Sequence, residues 1–143
     1  MAKKKKILII DDNPRIYDNF INVLREEYDI SVSDNLISAT RQFEMFHFDL
    51  VIIDIMMSPH GLGLKTTNAY HTGLNFYHNY IRLQYPDLIV VFWSALSNNT
   101  IIKYFSDKGG VPKNLHYVDK YDYTQDEFKS FVRSILPPKT NIL

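Results

Sequence analysis

The sequence contains no cysteine. That excludes disulfides, thiolate nucleophiles and thiolate-bound zinc, and it suits a reducing cytosol. Neither charge is in excess: 16 basic and 16 acidic residues give a formal net charge of zero. Nothing global therefore draws the chain to nucleic acid or an anionic membrane. Long apolar runs are missing too. No stretch approaches the ~20 apolar residues of a membrane span. The four lysines Lys3 to Lys6 precede an apolar run that stops at Asp11. It falls short of the ~7–15 residues of a signal peptide, so the lysines read as a solvated start.

What is present is an ordinary globular composition, 45% hydrophobic and 22% charged over 143 residues. The length fits one domain, with a core over about residues 5–136 and a short tail at 137–143. Apolar runs alternate with amphipathic segments. KILII (Lys6 to Ile10), DISVS (Asp29 to Ser33), DLVIID (Asp49 to Asp54), LIVVFWS (Leu88 to Ser94) and HYV (His116 to Val118) read as strands.

Asn13 offers a helix N-cap with Pro14 at the first helical position, and Ile16, Phe20, Val23 and Leu24 share a helical face. Leu36, Ala39, Thr40 and Phe43 predict a second helix, and Leu74, Tyr77 and Ile81 a third that stops near Pro86. A fourth runs from about Asn98 to Asp107, ended by Gly109-Gly110. Thr124 and Glu127 form a capping box ahead of the stripe Phe128, Phe131, Val132 and Ile135.

Five βα units imply an α/β fold: a doubly wound, five-stranded parallel sheet with five helices. Right-handed crossovers put all strand C-termini on one edge, where ligands of such sheets bind. The residues there are Asp11 and Asp12, Asp54, Ser94 and Lys120. Adjacent carboxylates repel, most of all in a dry setting, so the pair calls for a neutralising partner. Three carboxylates suit a hard divalent cation such as Mg²⁺, and an ammonium and a hydroxyl suit a phosphoryl group.

In these motifs the chain resembles the receiver domains of two-component response regulators, and the resemblance implies their flavodoxin-like strand order, 2-1-3-4-5. IIDDNP matches the family's acidic pair and VIIDIMM its phosphoacceptor strand. VFWSA matches the strand ending in a hydroxyl residue and Ala, and YVDKY the strand with an aromatic three residues before the lysine. The resemblance implies that Asp54 is the phosphoacceptor nucleophile. It implies that Asp12 binds Mg²⁺ directly, with Asp11 assisting and the Met56 backbone carbonyl as a further ligand. Ser94 and Lys120 would then hold phosphoryl oxygens, and Ser94 and Tyr117 would form the switch.

The implied phosphodonor is a sensor histidine kinase or a histidine phosphotransfer protein. The implied output surface is the face of the fourth helix, fifth strand and fifth helix, through which a target binds and homodimers form. After Leu136 only PPKTNIL follows, so a stand-alone receiver signalling by protein contact is expected, or else a piece of a longer chain. A cytoplasmic location is expected, with no direct contact to nucleic acid or membrane.

Two readings from other classes stand beside this one. A receiver-like interaction module would never be phosphorylated, but the intact acidic set argues against it. An aspartate-nucleophile phosphatase would carry a second Asp two residues after the first, where Met56 stands.

The sequence also departs from the family pattern. Ser58 stands where a Pro is usual, Pro59 follows, and the family's glycine falls at Gly73 after a long segment, His60 to His71. That segment is either tolerated decoration or a lid over the phosphorylation edge. Tyr121 replaces a Pro after the lysine; a cis bond before Tyr would cost ~3–4 kcal/mol, so a trans turn is expected. Met56 and Leu96, the positions that tune hydrolysis in the family, are apolar and cannot orient a water. Slow autodephosphorylation is therefore expected, and Met56→Asn should shorten the phosphoryl half-life; an unchanged half-life would refute this.

Overall fold

The computed structural model describes residues 3–13, 18–55, 72–94 and 98–139. Its centre is a five-stranded, all-parallel sheet of order β2-β1-β3-β4-β5. The strands are β1 (Lys6–Ile10), β2 (Asp29–Ser33), β3 (Leu50–Ile53), β4 (Ile89–Ser94) and β5 (Leu115–Asp119). The helices are α1 (Asp18–Arg25), α2 (Leu36–Met45), α3 (Thr72–Phe76, continuing through Tyr77–Ile81 and Arg82–Gln84), α4 (Asn98–Phe105) and α5 (Gln125–Ile135). This is the flavodoxin-like fold that the alternation of the sequence predicts.

Period-two alternation along each strand sorts the core into two layers. Leu8, Ile10, Val51, Ile53, Val90, Phe92 and Leu115 pack with α2, α3 and α4. Ile7, Ile9, Leu50, Ile52, Val91, Trp93 and Val118 pack with α1 and α5. The strands are apolar on both faces because both faces are covered. Lys129 of α5 reaches Glu26 just beyond α1 at 3.0 Å, tying the two helices of the second layer.

Local signals held for most elements. Thr124 Oγ1 accepts from Glu127 N–H, and Glu127 Oε1 accepts from Thr124 N–H, so the capping box closes as predicted. Asn35, which the pattern reading passed over, caps α2 by accepting from Ser38 N–H. In α1 the buried residues are Ile21 and Leu24, with Phe20 and Val23 half-buried. The predicted start of α1 at Asn13–Pro14 and the face position Ile16 fall partly or wholly outside the described residues.

The fourth helix ends at Phe105, two residues before its predicted stop. Gly110 N–H then donates back to the Phe105 carbonyl at 2.9 Å. Gly109 and Gly110 take φ of 90° and 84°, a region that β-carbon sterics close to most residues. The third helix is not α-helical throughout. Tyr77–Ile81 forms a π turn, and Arg82 N–H donates to the Tyr77 carbonyl five residues back. Among the described residues no peptide bond is cis, so Lys120–Tyr121 is trans. The His60–His71 segment, Met56, Ser58, Pro59 and Leu96 lie outside the described residues.

Two half-buried histidines give the fold an acid limit. Burial pushes the His116 pKa below its usual 6.5. Burial does the same to His78, aided by Arg82 and Lys108 and opposed by Asp107. Both are thus held neutral in the native state, while in the unfolded chain they take a proton below about pH 6.5. Their contribution is fully present above that pH and is lost as pH falls towards the depressed native values. Urea midpoints taken from pH 7.5 down to 5 should decline, and His116→Phe should flatten the profile. An unchanged slope in that variant would refute the assignment.

Candidate functional site

The C-terminal ends of β1, β3, β4 and β5 deliver the polar residues of the sheet to one edge. Neighbouring strands pin each of them through the backbone. Asp11 N–H donates to the Ser33 carbonyl at 3.0 Å, Asp54 N–H to Ile10 at 2.9 Å, and Lys120 N–H to Ser94 at 3.0 Å. Each bond continues the ladder of a parallel pair by one residue, so the site inherits the rigidity of the sheet centre.

Alternation also fixes the faces. Asp11 follows Ile7 and Ile9, Asp54 follows Leu50 and Ile52, and Lys120 follows Val118, all in the layer covered by α1 and α5. Ser94 follows Val90 and Phe92, and Tyr117 follows Leu115, in the layer covered by α2, α3 and α4. The charged residues and the hydroxyl–aromatic pair thus issue from opposite faces of the same edge.

The charged group is compact. Carboxylate oxygens of Asp11, Asp12 and Asp54 lie within 4.8 Å of one another. Lys120 Nζ stands 3.3 Å from Asp11 Oδ2 and 3.3 Å from Asp54 Oδ2. The lysine side chain is 9% exposed, Asp11 6% and Asp54 9%, so these pairs are poorly screened by water. Asp12 is exposed. The second oxygen of Asp11 accepts from Asn13 N–H at 2.9 Å, which holds the carboxylate against the chain that leaves β1. Beneath Asp11 the surroundings are apolar, formed by Ile9, Phe20, Ile52, Trp93 and Phe128.

Of the predicted residues, Asp11, Asp12, Asp54 and Lys120 come together in this cluster. Ser94 is fully buried at the end of β4. Tyr117 is half-buried and, with Ile101, Ile102, Val111 and His116, lines a groove of about 430 Å³ between α4 and β5. Its hydroxyl pKa is raised by burial first, then by Asp119 and Asp122. Met56 lies outside the described residues.

Two contacts show only in the folded chain. Gly73, in the first turn of α3, donates its N–H to the Ile55 carbonyl at 2.9 Å. A Cβ there would run into the Asp54 carbonyl oxygen and come 2.8 Å from Ile55 Cα. The glycine is required by close backbone approach, and only the contact reveals it. Tyr104 is half-buried and its hydroxyl donates to Asn75 Oδ1, joining α4 to the start of α3. Tyr121 is 79% exposed beside the site.

Chemically, the cluster offers three carboxylates and oxygen-only donors, with a single lysine to offset two of them. That donor set fits a hard divalent cation. One of them, the buried carboxylate of Asp54, has the Lys120 ammonium 3.3 Å away.

Comparison with known proteins agrees with this geometry. A family model described as the response regulator receiver domain matches residues 7–111. No curated protein sequence matches the chain. Among solved structures, the response regulator protein TrrA from Thermotoga maritima, determined in complex with Mg²⁺-BeF, is 29% identical. The match covers 92% of this chain and 99% of that one with a TM-score of 0.65. A two-component response regulator from Clostridium difficile is 18% identical, with 92% and 95% covered and a TM-score of 0.69. Chemotaxis response regulator CheY4 of Vibrio cholerae is 16% identical, with 92% and 98% covered and a TM-score of 0.68.

Proposed function

The chain belongs to the family of response regulator receiver domains, and on that premise we propose that Asp54 accepts a phosphoryl group from a phosphohistidine on a histidine kinase or phosphotransfer protein. The observation that carries this reading is the cluster itself. A buried carboxylate lies within reach of two others and 3.3 Å from a nearly buried lysine. A structural carboxylate at a strand end has no need of such surroundings.

In the proposed step an Asp54 oxygen forms a bond to phosphorus while the P–N bond to the donor imidazole breaks. The electron pair returns to the ring nitrogen. Phosphoryl transfer needs mainly in-line placement and charge neutralisation. Lys120 supplies part of the second, since its Nζ already stands beside the oxygen that would carry the phosphoryl group. Asp11, Asp12 and Asp54, with the Met56 carbonyl, would hold Mg²⁺, which when bound supplies the further positive charge that phosphoryl oxygens require. The Mg²⁺-BeF complex of TrrA supports that assignment by analogy.

Ser94 and Tyr117 are proposed as the switch. Their common face, turned towards α4, supports it: a hydroxyl drawn to the phosphoryl group would free space beside a half-buried ring. The groove that Tyr117 lines would change shape, and a downstream protein or a second copy would read it on the α4–β5–α5 face. Phosphorylation must then favour one of two pre-existing states. The chain is proposed to act as one receiver domain in the cytoplasm, turning over no substrate beyond its own phosphoryl group. Among the described residues no helix is long and apolar enough to cross a membrane.

The site of attachment is directly testable. After incubation with acetyl phosphate and Mg²⁺, borohydride reduction converts an aspartyl phosphate to homoserine. Peptide mapping should find that conversion at position 54 alone. Conversion at another aspartate, or none, would refute the assignment.

A further inference from the structure

On the outer side of α3, away from the acidic cluster, lies a groove of about 560 Å³ lined by Tyr77, His78, Arg82, Leu83, Lys108 and Pro112. One wall is the π turn. Side chains four apart are neighbours on a helix surface. His78 and Arg82 are four apart, and an Arg82 Nη atom is 3.5 Å from His78 Nδ1. From the other wall comes Lys108, whose Nζ lies 4.3 Å from the centre of the Tyr104 ring.

These groups are oddly matched. Arg82 is half-buried, yet among the described residues it has no carboxylate within ion-pair distance. Asp107 is 79% exposed and pairs with Lys108 at 3.0 Å, leaving Arg82 facing a histidine. A guanidinium partly out of water normally finds a carboxylate, because its fork of N–H donors matches one. At the rim Leu83 is 75% exposed, an apolar side chain with no core to join.

We propose that this groove is a docking site for an acidic peptide segment of a partner protein, with a carboxylate of the peptide on Arg82 and an apolar side chain against Leu83 and Pro112. Charge complementarity selects the occupant. Among the described residues the groove keeps one positive charge without a carboxylate, Arg82, since Lys108 pairs with Asp107, whereas a nucleic-acid surface would need a broad basic face. The apolar rim distinguishes a peptide from a bare anion. The field in the groove supports the same reading: Arg82 and Lys108 help to hold His78 neutral, against Asp107, and Tyr104 and Phe105 cover its ring from α4. An anion entering there would reverse that bias and favour the protonated ring.

The test is an NMR titration with the probe peptide acetyl-Glu-Leu-Asp-Glu-Leu-amide. The expected result is a saturable shift confined to His78, the Arg82 side chain, Leu83 and Lys108, with His78 titrating at higher pH when the peptide is bound. Arg82→Gln should weaken binding about tenfold while leaving the remaining amide spectrum unchanged. Leu83→Ser, at an exposed position, should weaken it as well. Equal binding by both variants, or no saturable shift at the groove, would overturn the proposal. So would inorganic phosphate reproducing the shifts at the same concentration, or a single-stranded oligonucleotide binding more tightly than the peptide.

Discussion

Gly73→Ala is expected to destabilise the chain by about 3 kcal/mol, lowering Tm by roughly 10 °C. The sign is the informative part. By helix propensity alone alanine in α3 would gain up to about 1 kcal/mol over glycine. Packing opposes it, because the added Cβ meets backbone rather than a side chain that can turn aside. The Asp54 carbonyl and Ile55 Cα cannot yield without moving the end of β3. The same displacement would shift Asp54 from Lys120 and slow phosphorylation. Gly109→Ala is the control: it sits at positive φ with nothing within 4 Å, and should cost only about 1 kcal/mol. A stabilised Gly73→Ala, by calorimetry, would show that the close approach is not real.

Lys120→Gln has the second large effect, with two opposite signs. Without metal, the variant leaves the Asp11 and Asp54 carboxylates facing each other with their shared lysine gone. Breaking a buried pair in this way costs about 3 kcal/mol. Mg²⁺ should restore part of that loss and bind more tightly than in the wild type, because the ammonium no longer competes for the same oxygens. Phosphorylation by acetyl phosphate should nonetheless fall about a hundredfold, since one of the charges that steady the transferring group is missing. Denaturant titrations with and without Mg²⁺, paired with uptake rates, separate the two effects. Unchanged metal affinity together with unchanged uptake would remove Lys120 from the account.

Much of this was legible in the chain because local rules agree with the fold. β1 and β2 begin and end where turn residues bracket apolar runs, and their bounds match the reading. The edge residues followed from topology: parallel strands with right-handed crossovers leave all C-termini together. Alternation could also have told that Asp11, Asp54 and Lys120 share one face and Ser94 and Tyr117 the other. What stayed hidden depends on distance in the folded state. The family resemblance located Gly73, but no local pattern announces that α3 starts against the Asp54 carbonyl. The π turn has no proline or glycine to mark it within Tyr77–Ile81. Arg82 and Lys108, 26 residues apart, meet only because α3 and the turn after α4 are neighbours.

The central claim is that the acidic cluster takes up one phosphoryl group with the help of a divalent cation. Intact mass after incubation with acetyl phosphate, with and without Mg²⁺, on wild type and Asp54→Ala tests it most directly. The expected result is a gain of a single phosphoryl group that requires Mg²⁺ and is absent from Asp54→Ala. No gain in the wild type, or an equal gain in the variant, would contradict it.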